Sequence, residues 1–266
     1  MKKKNIIVVG GGTMGYAIAK NISDDYATTI VEKSMERRTY IERHSPQITC
    51  TSDHPQYAPD DLIILAIKPQ DFHNLTDVMP KNAKYLSIIA GISLSKLHNA
   101  LQSDYIARIM PSLTARISMA VTGYCVKETT KKYTEFITLT KDIASTLGEI
   151  VELSEKLIPA ITALSGSGIA FVFRFIHELA MAGVAEGIPY PKSLEIAHDT
   201  ILGAAEYSKQ HCTKGGNPIE LITQVCSPAG TTVAGLQKLD EHGFATALQK
   251  AVHAVVDRSF EIESTM

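Results

Sequence analysis

Residues 6–15 have the sequence Ile6-Ile7-Val8-Val9-Gly10-Gly11-Gly12-Thr13-Met14-Gly15. The four apolar residues predict a buried strand, and the glycines after them predict a tight turn that opens a helix. Gly10, Gly12 and Gly15 match G-x-G-x-x-G, in which the first glycine permits the turn, the second admits a pyrophosphate and the third lets helix and strand pack closely. The start of this helix, with Thr13 and Met14, is therefore predicted to bind the phosphates of a dinucleotide.

A second predicted strand, residues 28–31, ends at an acidic residue. Glu32 lies 22 residues after Gly10, at the spacing where this fold places a carboxylate that accepts hydrogen bonds from an adenosine ribose. A carboxylate there favours the free 2′-hydroxyl of NADH. Four polar residues that follow can instead hold the 2′-phosphate of NADPH: Lys33, Ser34, Arg37 and Arg38. Both cofactors therefore stay open at this point.

The composition is that of an ordinary globular protein. The chain has 266 residues, of which 45 % are hydrophobic and 20 % charged, with a formal net charge of −2. Nucleic-acid-binding proteins usually have a basic excess on one face, so no nucleic acid partner is expected. The four cysteines lie far apart without a C-x-x-C pair or a histidine at ligand spacing, and no metal site is expected.

Targeting signals are also not evident. The N-terminal lysines run directly into a strand, without the apolar segment of a signal peptide. The longest apolar stretch, Ile169 to Ala185, contains Arg174, His177 and Glu178, which argues against a membrane span. We therefore expect a cytoplasmic enzyme.

The first part of the chain alternates strand-like and helix-like segments. In the predicted strand 61–67, every residue after Asp61 is apolar, which is typical of a parallel strand covered on both faces. Further strands are predicted at 84–89, 105–110, 119–126 and 149–153. Repeated strand–helix alternation with short links predicts an α/β fold with a Rossmann-like doubly wound sheet, assigned to residues 1–155.

Residues 156–266 are predicted to form an all-helical domain, because the strand patterns disappear after Leu157. The helix from Ile169 is apolar on nearly every face, so it must be covered all round. About 110 residues can hardly supply that cover. We therefore expect a second subunit, with a homodimer as the commonest arrangement and a higher homo-oligomer left open. The alternative is burial between the two domains of one chain.

Ligands of open α/β sheets bind at the carboxyl ends of the strands. Besides the glycine turn, the residues predicted at those ends are Ala66, Lys68, Pro69, Ala90, Gly91, Met110 and Ser112. No serine, cysteine or histidine triad gathers there. This indicates chemistry performed by a nicotinamide, with the protein supplying binding and orientation.

Two glycine–serine clusters stand apart in the helical half, at residues 164–168 and 226–232. Each is predicted to open a helix, where free backbone N–H groups suit an anion such as a carboxylate. The plainer interpretation, which stays open, is that each cluster only caps a helix.

Taken together, these residues resemble pyrroline-5-carboxylate reductases over nearly the whole chain. The segments that carry the resemblance are the glycine motif with Met14, Ala66-Ile67-Lys68-Pro69-Gln70, Ser87-Ile88-Ile89-Ala90-Gly91-Ile92-Ser93, Arg108-Ile109-Met110-Pro111, Thr162-Ala163-Leu164-Ser165-Gly166-Ser167-Gly168 and Ser227-Pro228-Ala229-Gly230-Thr231-Thr232. The last segment is the most specific of them.

The resemblance implies an NAD(P)H-dependent oxidoreductase that passes hydride to the cyclic imine 1-pyrroline-5-carboxylate and forms L-proline, the last step of proline biosynthesis. The residues it implies around the imino acid are Ser165, Ser227, Gly230, Thr231 and Thr232. The Thr232 hydroxyl would meet the ring nitrogen, where it can position the imine or relay a proton. The residues implied along the nicotinamide riboside are Lys68, Pro69, Ala90 and Gly91.

The chain departs from the family at three places. Ser112-Leu113-Thr114-Ala115 replaces Asn-Thr-Pro-Ala, Ile169 replaces a proline, and Ala229 replaces a glycine. Alanine tolerates positive φ poorly, so the 227–230 loop is expected to be reshaped. These departures leave two alternatives: a divergent paralogue acting on another imine or on a β-hydroxy acid, and a non-catalytic NAD(P)-binding regulatory protein.

Overall fold

The computed structural model describes residues 3–265. The described residues form two compact units, one made of the residues up to Ser167 and from Ala254 onward, and the other of Gly168–His253.

The larger unit contains an eight-stranded sheet. Its strands are β1 (Asn5–Val9), β2 (Ala27–Val31), β3 (Thr49–Thr51), β4 (Leu62–Leu65), β5 (Lys84–Ser87), β6 (Ile106–Met110), β7 (Ala120–Val126) and β8 (Gly148–Glu152). Their order is β3-β2-β1-β4-β5-β6-β7-β8, and every pair is parallel except β6 with β7. The α/β prediction with a Rossmann-like sheet is confirmed.

The helices of this unit that cover the sheet follow the strands in turn. They are α1 (Thr13–Ile22), α2 (Met35–His44), α3 (Phe72–Thr76), α4 (Leu94–Leu101) and α5 (Thr134–Ser145). A short helix, α6 (Ile158–Ile161), comes after β8.

Strands β1 and β4 are neighbouring interior strands of the sheet, and both of their faces are buried. Ile6 and Val8 belong to one core cluster and Ile7 and Val9 to another, because successive side chains of a strand point to opposite faces. All four residues of β4 are buried. The apolar run that follows Asp61 is thus explained, although the strand is shorter than the predicted 61–67 and spans Leu62–Leu65.

Strand β7 departs from a fully parallel arrangement. Only nine residues, 111–119, separate β6 from β7, whereas a parallel crossover needs about a dozen or more. The chain therefore turns back, and β7 pairs antiparallel to β6, with Met110 opposite Gly123. Helix α5 then supplies a crossover, and β8 pairs parallel to β7.

The smaller unit is entirely helical in secondary structure. Its helices are α7 (Gly168–Ala185), α8 (Tyr190–Cys212), α9 (Pro218–Gln224), α10 (Thr231–Glu241) and the first part of α11 (Phe244–Thr265). Helices α7 and α8 pack closely where Ser193 Oγ donates to the Ala180 carbonyl at 2.7 Å. Within residues 168–253, all of which are described, only Ala180, Ser193 and Ala197 are buried.

Large apolar side chains are correspondingly exposed on the helical unit. Examples are Phe173, Phe175, Leu202, Ile219, Val225 and Leu248. This much apolar surface on one chain marks an interaction surface.

One helical stretch of the described residues is longer than the apolar run that the sequence shows. The helical stretch Glu155–Ala185 is long and apolar enough to cross a membrane, with 17 % of its most apolar 18-residue window buried. The core helix of a soluble protein has the same length and composition, so the absence of a membrane span stays a prediction.

A buried ion pair ties the sheet to the start of this stretch. Arg108 of β6 is buried, and its Nη1 donates to Glu155 Oε1 at 3.0 Å. The same oxygen accepts the backbone N–H of Leu94, the first residue of α4, at 2.6 Å. Within the described residues, Arg108 Nε has no hydrogen-bond partner. Glu155 is thus the one carboxylate paired with this guanidinium in the described chain.

We expect Glu155→Ala to destabilise the protein by about 2 kcal/mol, because it leaves a buried guanidinium unpaired. The value lies below that of a fully buried pair, since the Glu155 side chain is 30 % exposed. Denaturant unfolding measures the change. Glu128→Ala, which removes a solvent-exposed partner of Lys131, is the matched control and should leave the midpoint unchanged. Equal midpoints for both variants would contradict the structural role of Glu155.

Candidate functional site

The glycine turn after β1 has three positions with different steric demands. Gly10 has a φ of +106°, and a Cβ there would lie 2.5 Å from the Ala66 carbonyl oxygen. A Cβ on Gly15 would overlap the carbonyl oxygen of Gly10. At Gly12, by contrast, nothing described lies within 4 Å of an added Cβ. Gly10 and Gly15 are therefore required by the fold, while Gly12 keeps open space beside the turn.

Helix α1 begins at Thr13, directly after this open position. Gly12 is its N-cap, and no side chain of the described residues caps it. The first-turn N–H groups of a helix have no partner within the helix and carry a partial positive charge. Thr13 and Met14 thus present backbone donors to an anion, as a pyrophosphate requires.

A cleft of about 590 Å³ lies at the carboxyl ends of β1, β2 and β4. This volume falls within the range of small-molecule and cofactor sites. The predicted residues that line it are Gly10, Gly12, Glu32, Lys33, Ala66 and Lys68. The open space, the uncapped helix and the cleft together fit a bound dinucleotide.

Other cleft residues were not predicted from the sequence. Ser52, Asp53 and His54 come directly after β3, and Asp71 and Asn74 come from the segment after β4. The carboxyl-end rule applied to the short strand β3 would have found the first three. Burial, with a smaller contribution from Lys33, lowers the pKa of His54, so its imidazole is neutral at pH 7.

Glu32 is held by two backbone donors. Its Oε2 accepts the Gly11 N–H at 2.9 Å, and its Oε1 accepts the Ser34 N–H at 2.8 Å. Ser34 in turn caps α2, because its Oγ accepts the Arg37 N–H at 3.2 Å. The carboxylate is therefore fixed between the glycine turn and the start of α2.

The two arginines of α2 bind backbone carbonyls. Arg37 Nε donates to the Gly11 carbonyl at 2.7 Å, and its guanidinium lies 5.4 Å from the Tyr16 ring centroid and 5.1 Å from that of Tyr40. Arg38 Nη1 donates to the carbonyls of Glu32 and Lys33 at 2.7 and 2.9 Å. Neither arginine lines the cleft.

The remaining strand-end predictions lie outside the lining of this cleft. Pro69 begins a short 3₁₀ turn, Pro69–Asp71, and Ala90 is exposed. Gly91 has a φ of +70°, and a Cβ there would lie 2.7 Å from Ile262 Cγ2 of α11. Met110 and Ser112 are buried, and the Ser112 and Thr114 hydroxyls are hydrogen-bonded at 3.0 Å.

In the helical unit, the cluster before α10 forms a helix start. Gly230 is the N-cap, no side chain of the described residues caps α10, and Thr231 and Thr232 are exposed. The Gly230 N–H donates to the Ser227 carbonyl at 2.9 Å. Ala229 adopts a φ of +55°. The sequence predicts a reshaped 227–230 loop. The structure shows that Ala229 adopts the left-handed backbone conformation, which strains an alanine.

The prediction that residues 164–168 open a helix is wrong. Thr162–Ser167 form a π-helical turn that continues α6 into α7. The Ser165 Oγ donates to the Ile161 carbonyl at 2.9 Å. The prediction failed because glycine and serine were taken to interrupt a helix, whereas a wider turn with i→i+5 hydrogen bonds accommodates them.

Comparisons with known proteins cover most of the chain. The family described as pyrroline-5-carboxylate reductase dimerisation matches residues 155–262, and the family described as NADP oxidoreductase coenzyme F420-dependent matches residues 5–91. A pyrroline-5-carboxylate reductase of Aquifex aeolicus is 35 % identical over 260 residues, which cover 92 % of each chain.

Solved structures show the same similarity. A 1-pyrroline-5-carboxylate reductase of Streptococcus pyogenes has a TM-score of 0.86 and 32 % identity, with 98 % of each chain covered. A pyrroline carboxylate reductase of Plasmodium falciparum with NADP bound has a TM-score of 0.81 and 26 % identity, with 99 % of each chain covered.

Substitutions at two glycines of the turn should separate binding from folding. We expect Gly12→Ala to keep the melting temperature within a few degrees but to weaken dinucleotide binding at least tenfold, about 1.4 kcal/mol, because the methyl group enters the space beside the helix start. Gly15→Ala should instead lower the melting temperature, since its methyl group overlaps the Gly10 carbonyl. Fluorescence titration with NADH or NADPH and thermal melting measure the two effects. Unchanged affinity in the Gly12 variant would contradict the assignment.

The strained alanine gives an independent test. Ala229→Gly should stabilise the protein by about 0.5–1 kcal/mol, because glycine adopts positive φ without the cost that a Cβ imposes. Ala234→Gly, the same chemical change inside α10, should destabilise it by a similar amount. Urea unfolding at one protein concentration compares them. A destabilised Ala229→Gly variant would show that the left-handed conformation carries no strain.

Proposed function

The chain belongs to the pyrroline-5-carboxylate reductase family, and we propose that residues 227–232, at the start of α10, hold the imino acid that such enzymes reduce. The protein is an NAD(P)-dependent oxidoreductase acting on the CH–NH group. It reduces 1-pyrroline-5-carboxylate to L-proline, the last step of proline biosynthesis. The observation that carries this function is the full-length match to reductases at up to 35 % identity, in both sequence and fold.

The cofactor is a nicotinamide dinucleotide, which supplies the hydride when bound. We assign its pyrophosphate to the start of α1 and its adenosine to the Glu32 end of the cleft, for the steric reasons found at Gly10, Gly12 and Gly15. The residues proposed along this cofactor are Gly10, Gly12, Thr13, Met14, Gly15, Glu32, Lys33, Ser34, Ala66, Lys68, Pro69, Ala90, Gly91, Met110 and Ser112.

The substrate carboxylate suits the first turn of α10. Gly230 leaves this helix start without a side-chain cap, so the N–H groups of Thr231 and Thr232 are available to an anion. A positive helix end adds attraction for the negative charge. Ser227 belongs to the same loop, where its carbonyl fixes Gly230.

Thr232 is proposed as the catalytic residue. Hydride adds to the imine carbon and a proton must reach the ring nitrogen, so an iminium is the better acceptor. A hydroxyl beside nitrogen can position that group or relay the proton. Ser165 already donates its proton to the Ile161 carbonyl, so in the proposed site it can only accept a hydrogen bond.

The protein is a homo-oligomer, as its dimerisation-family match at residues 155–262 indicates. We propose a homodimer, because residues 168–253 bury only three residues within one chain. In a higher homo-oligomer, such as a ring of dimers, each dimer would form through the same exposed apolar surface of the helical unit. We also propose a cytoplasmic location, and a functional boundary near residue 155, where the dimerisation match begins.

The catalytic proposal predicts a selective loss. The wild-type protein should oxidise NADH or NADPH in the presence of pyrroline-5-carboxylate, and Thr232→Val should lower kcat/KM by about 10²-fold or more, because the isosteric side chain has no hydroxyl. Cofactor affinity should change little. Thr232→Ser, which keeps the hydroxyl, is the matched control and should retain most activity.

Each result has a defined meaning. Steady-state kinetics with a parallel cofactor titration gives both quantities. Unchanged kcat/KM in Thr232→Val would overturn the role of the hydroxyl. Cofactor binding without any turnover by the wild type would instead identify a non-catalytic or differently specific relative.

A further inference from the structure

We infer that this cleft prefers NADH over NADPH, and that the Glu32 carboxylate makes the choice by occupying the position that a 2′-phosphate would need. The inference rests on the proposed function, since it assumes that the cleft holds the adenosine half of a nicotinamide dinucleotide. It concerns only the group at the ribose 2′ position, which the reaction itself does not use.

Two backbone hydrogen bonds hold the Glu32 side chain in place. One carboxylate oxygen is bound by the Gly11 N–H at 2.9 Å and the other by the Ser34 N–H at 2.8 Å. Swinging the side chain away from the cleft would break both hydrogen bonds, each of them strengthened by the charge. Each oxygen keeps a further lone pair, so the carboxylate can still accept hydrogen bonds from ribose hydroxyls.

The start of α2 is the natural place for a phosphate at this end of the cleft. Helix N-termini bind anions through backbone N–H groups. Here the Ser34 N–H already binds Glu32, and the Ser34 Oγ accepts the Arg37 N–H. The Glu32 carboxylate is therefore an anion already bound at this helix end.

In each of Arg37 and Arg38 of α2, one guanidinium nitrogen is already bound to backbone carbonyl groups. Arg37 donates to the Gly11 carbonyl and packs against Tyr16 and Tyr40. Arg38 bridges the carbonyls of Glu32 and Lys33. Turning either guanidinium toward a phosphate would leave these carbonyls without their donors, and neither residue lines the cleft.

The charged side chains that line the cleft give it no net positive charge. Its lining includes three carboxylates, Glu32, Asp53 and Asp71, and two ammonium groups, Lys33 and Lys68. His54 adds no positive charge at pH 7, because burial lowers its pKa. A 2′-phosphate with a charge near −2 would thus enter a cleft without net positive charge. Lys33, an exposed point charge without a bidentate partner, does not offset a fixed carboxylate.

Binding measurements without substrate test the choice directly. Isothermal titration of the full-length protein with NADH and with NADPH should give a Kd for NADH at least tenfold lower. Glu32→Gln and Glu32→Ser should both bring the two Kd values within about threefold, mainly by improving NADPH binding. Asp53→Asn, which removes another negative charge from the same cleft, is the matched control and should keep most of the wild-type ratio.

The outcomes separate the inference from the function. A wild-type Kd for NADPH equal to or below that for NADH would overturn the preference. A ratio that survives in both Glu32 variants, or that Asp53→Asn removes equally, would overturn the role of Glu32. If the wild type binds neither NADH nor NADPH, the dinucleotide assignment itself fails.

Discussion

The structure depends on backbone groups that touch at the glycine turn. Gly15 lies against the Gly10 carbonyl, and Gly10 lies against the Ala66 carbonyl, with no room for a Cβ at either contact. These contacts set the start of α1 at the ends of β1 and β4, two neighbouring interior strands. Both strands are buried on both faces, so the turn rests on closely packed core.

Charged groups then join this turn to the start of α2. Gly11 donates its N–H to Glu32 and offers its carbonyl to Arg37, so one peptide position is held by a carboxylate and a guanidinium at once. Hydrogen bonds to charged groups contribute about 1.5–3 kcal/mol each. The glycine turn and the carboxylate proposed to meet the ribose are therefore joined directly by hydrogen bonds.

The sequence predicts those features that depend on local chemistry. Glycine spacing predicted the turn, and unbroken apolar runs predicted β1 and β4, since steric and burial requirements act on neighbouring residues. It could not predict features set by longer distances. The antiparallel β7 follows from a connection too short for a crossover, the π turn at 162–167 from the continuation of α6 into α7, and the covering of Gly91 from Ile262, 171 residues away.

The helical unit buries far fewer of its own residues than the unit that contains the sheet. The larger unit has two core clusters of fully buried apolar residues, whereas residues 168–253 bury only Ala180, Ser193 and Ala197. One chain therefore leaves most of the apolar side chains of this unit uncovered, and a partner subunit that covers them would stabilise the folded unit. We expect the stability of this unit to rise with protein concentration for that reason. Residues 227–232, proposed to hold the substrate, lie in this unit, whereas the dinucleotide cleft belongs to a unit with its own core.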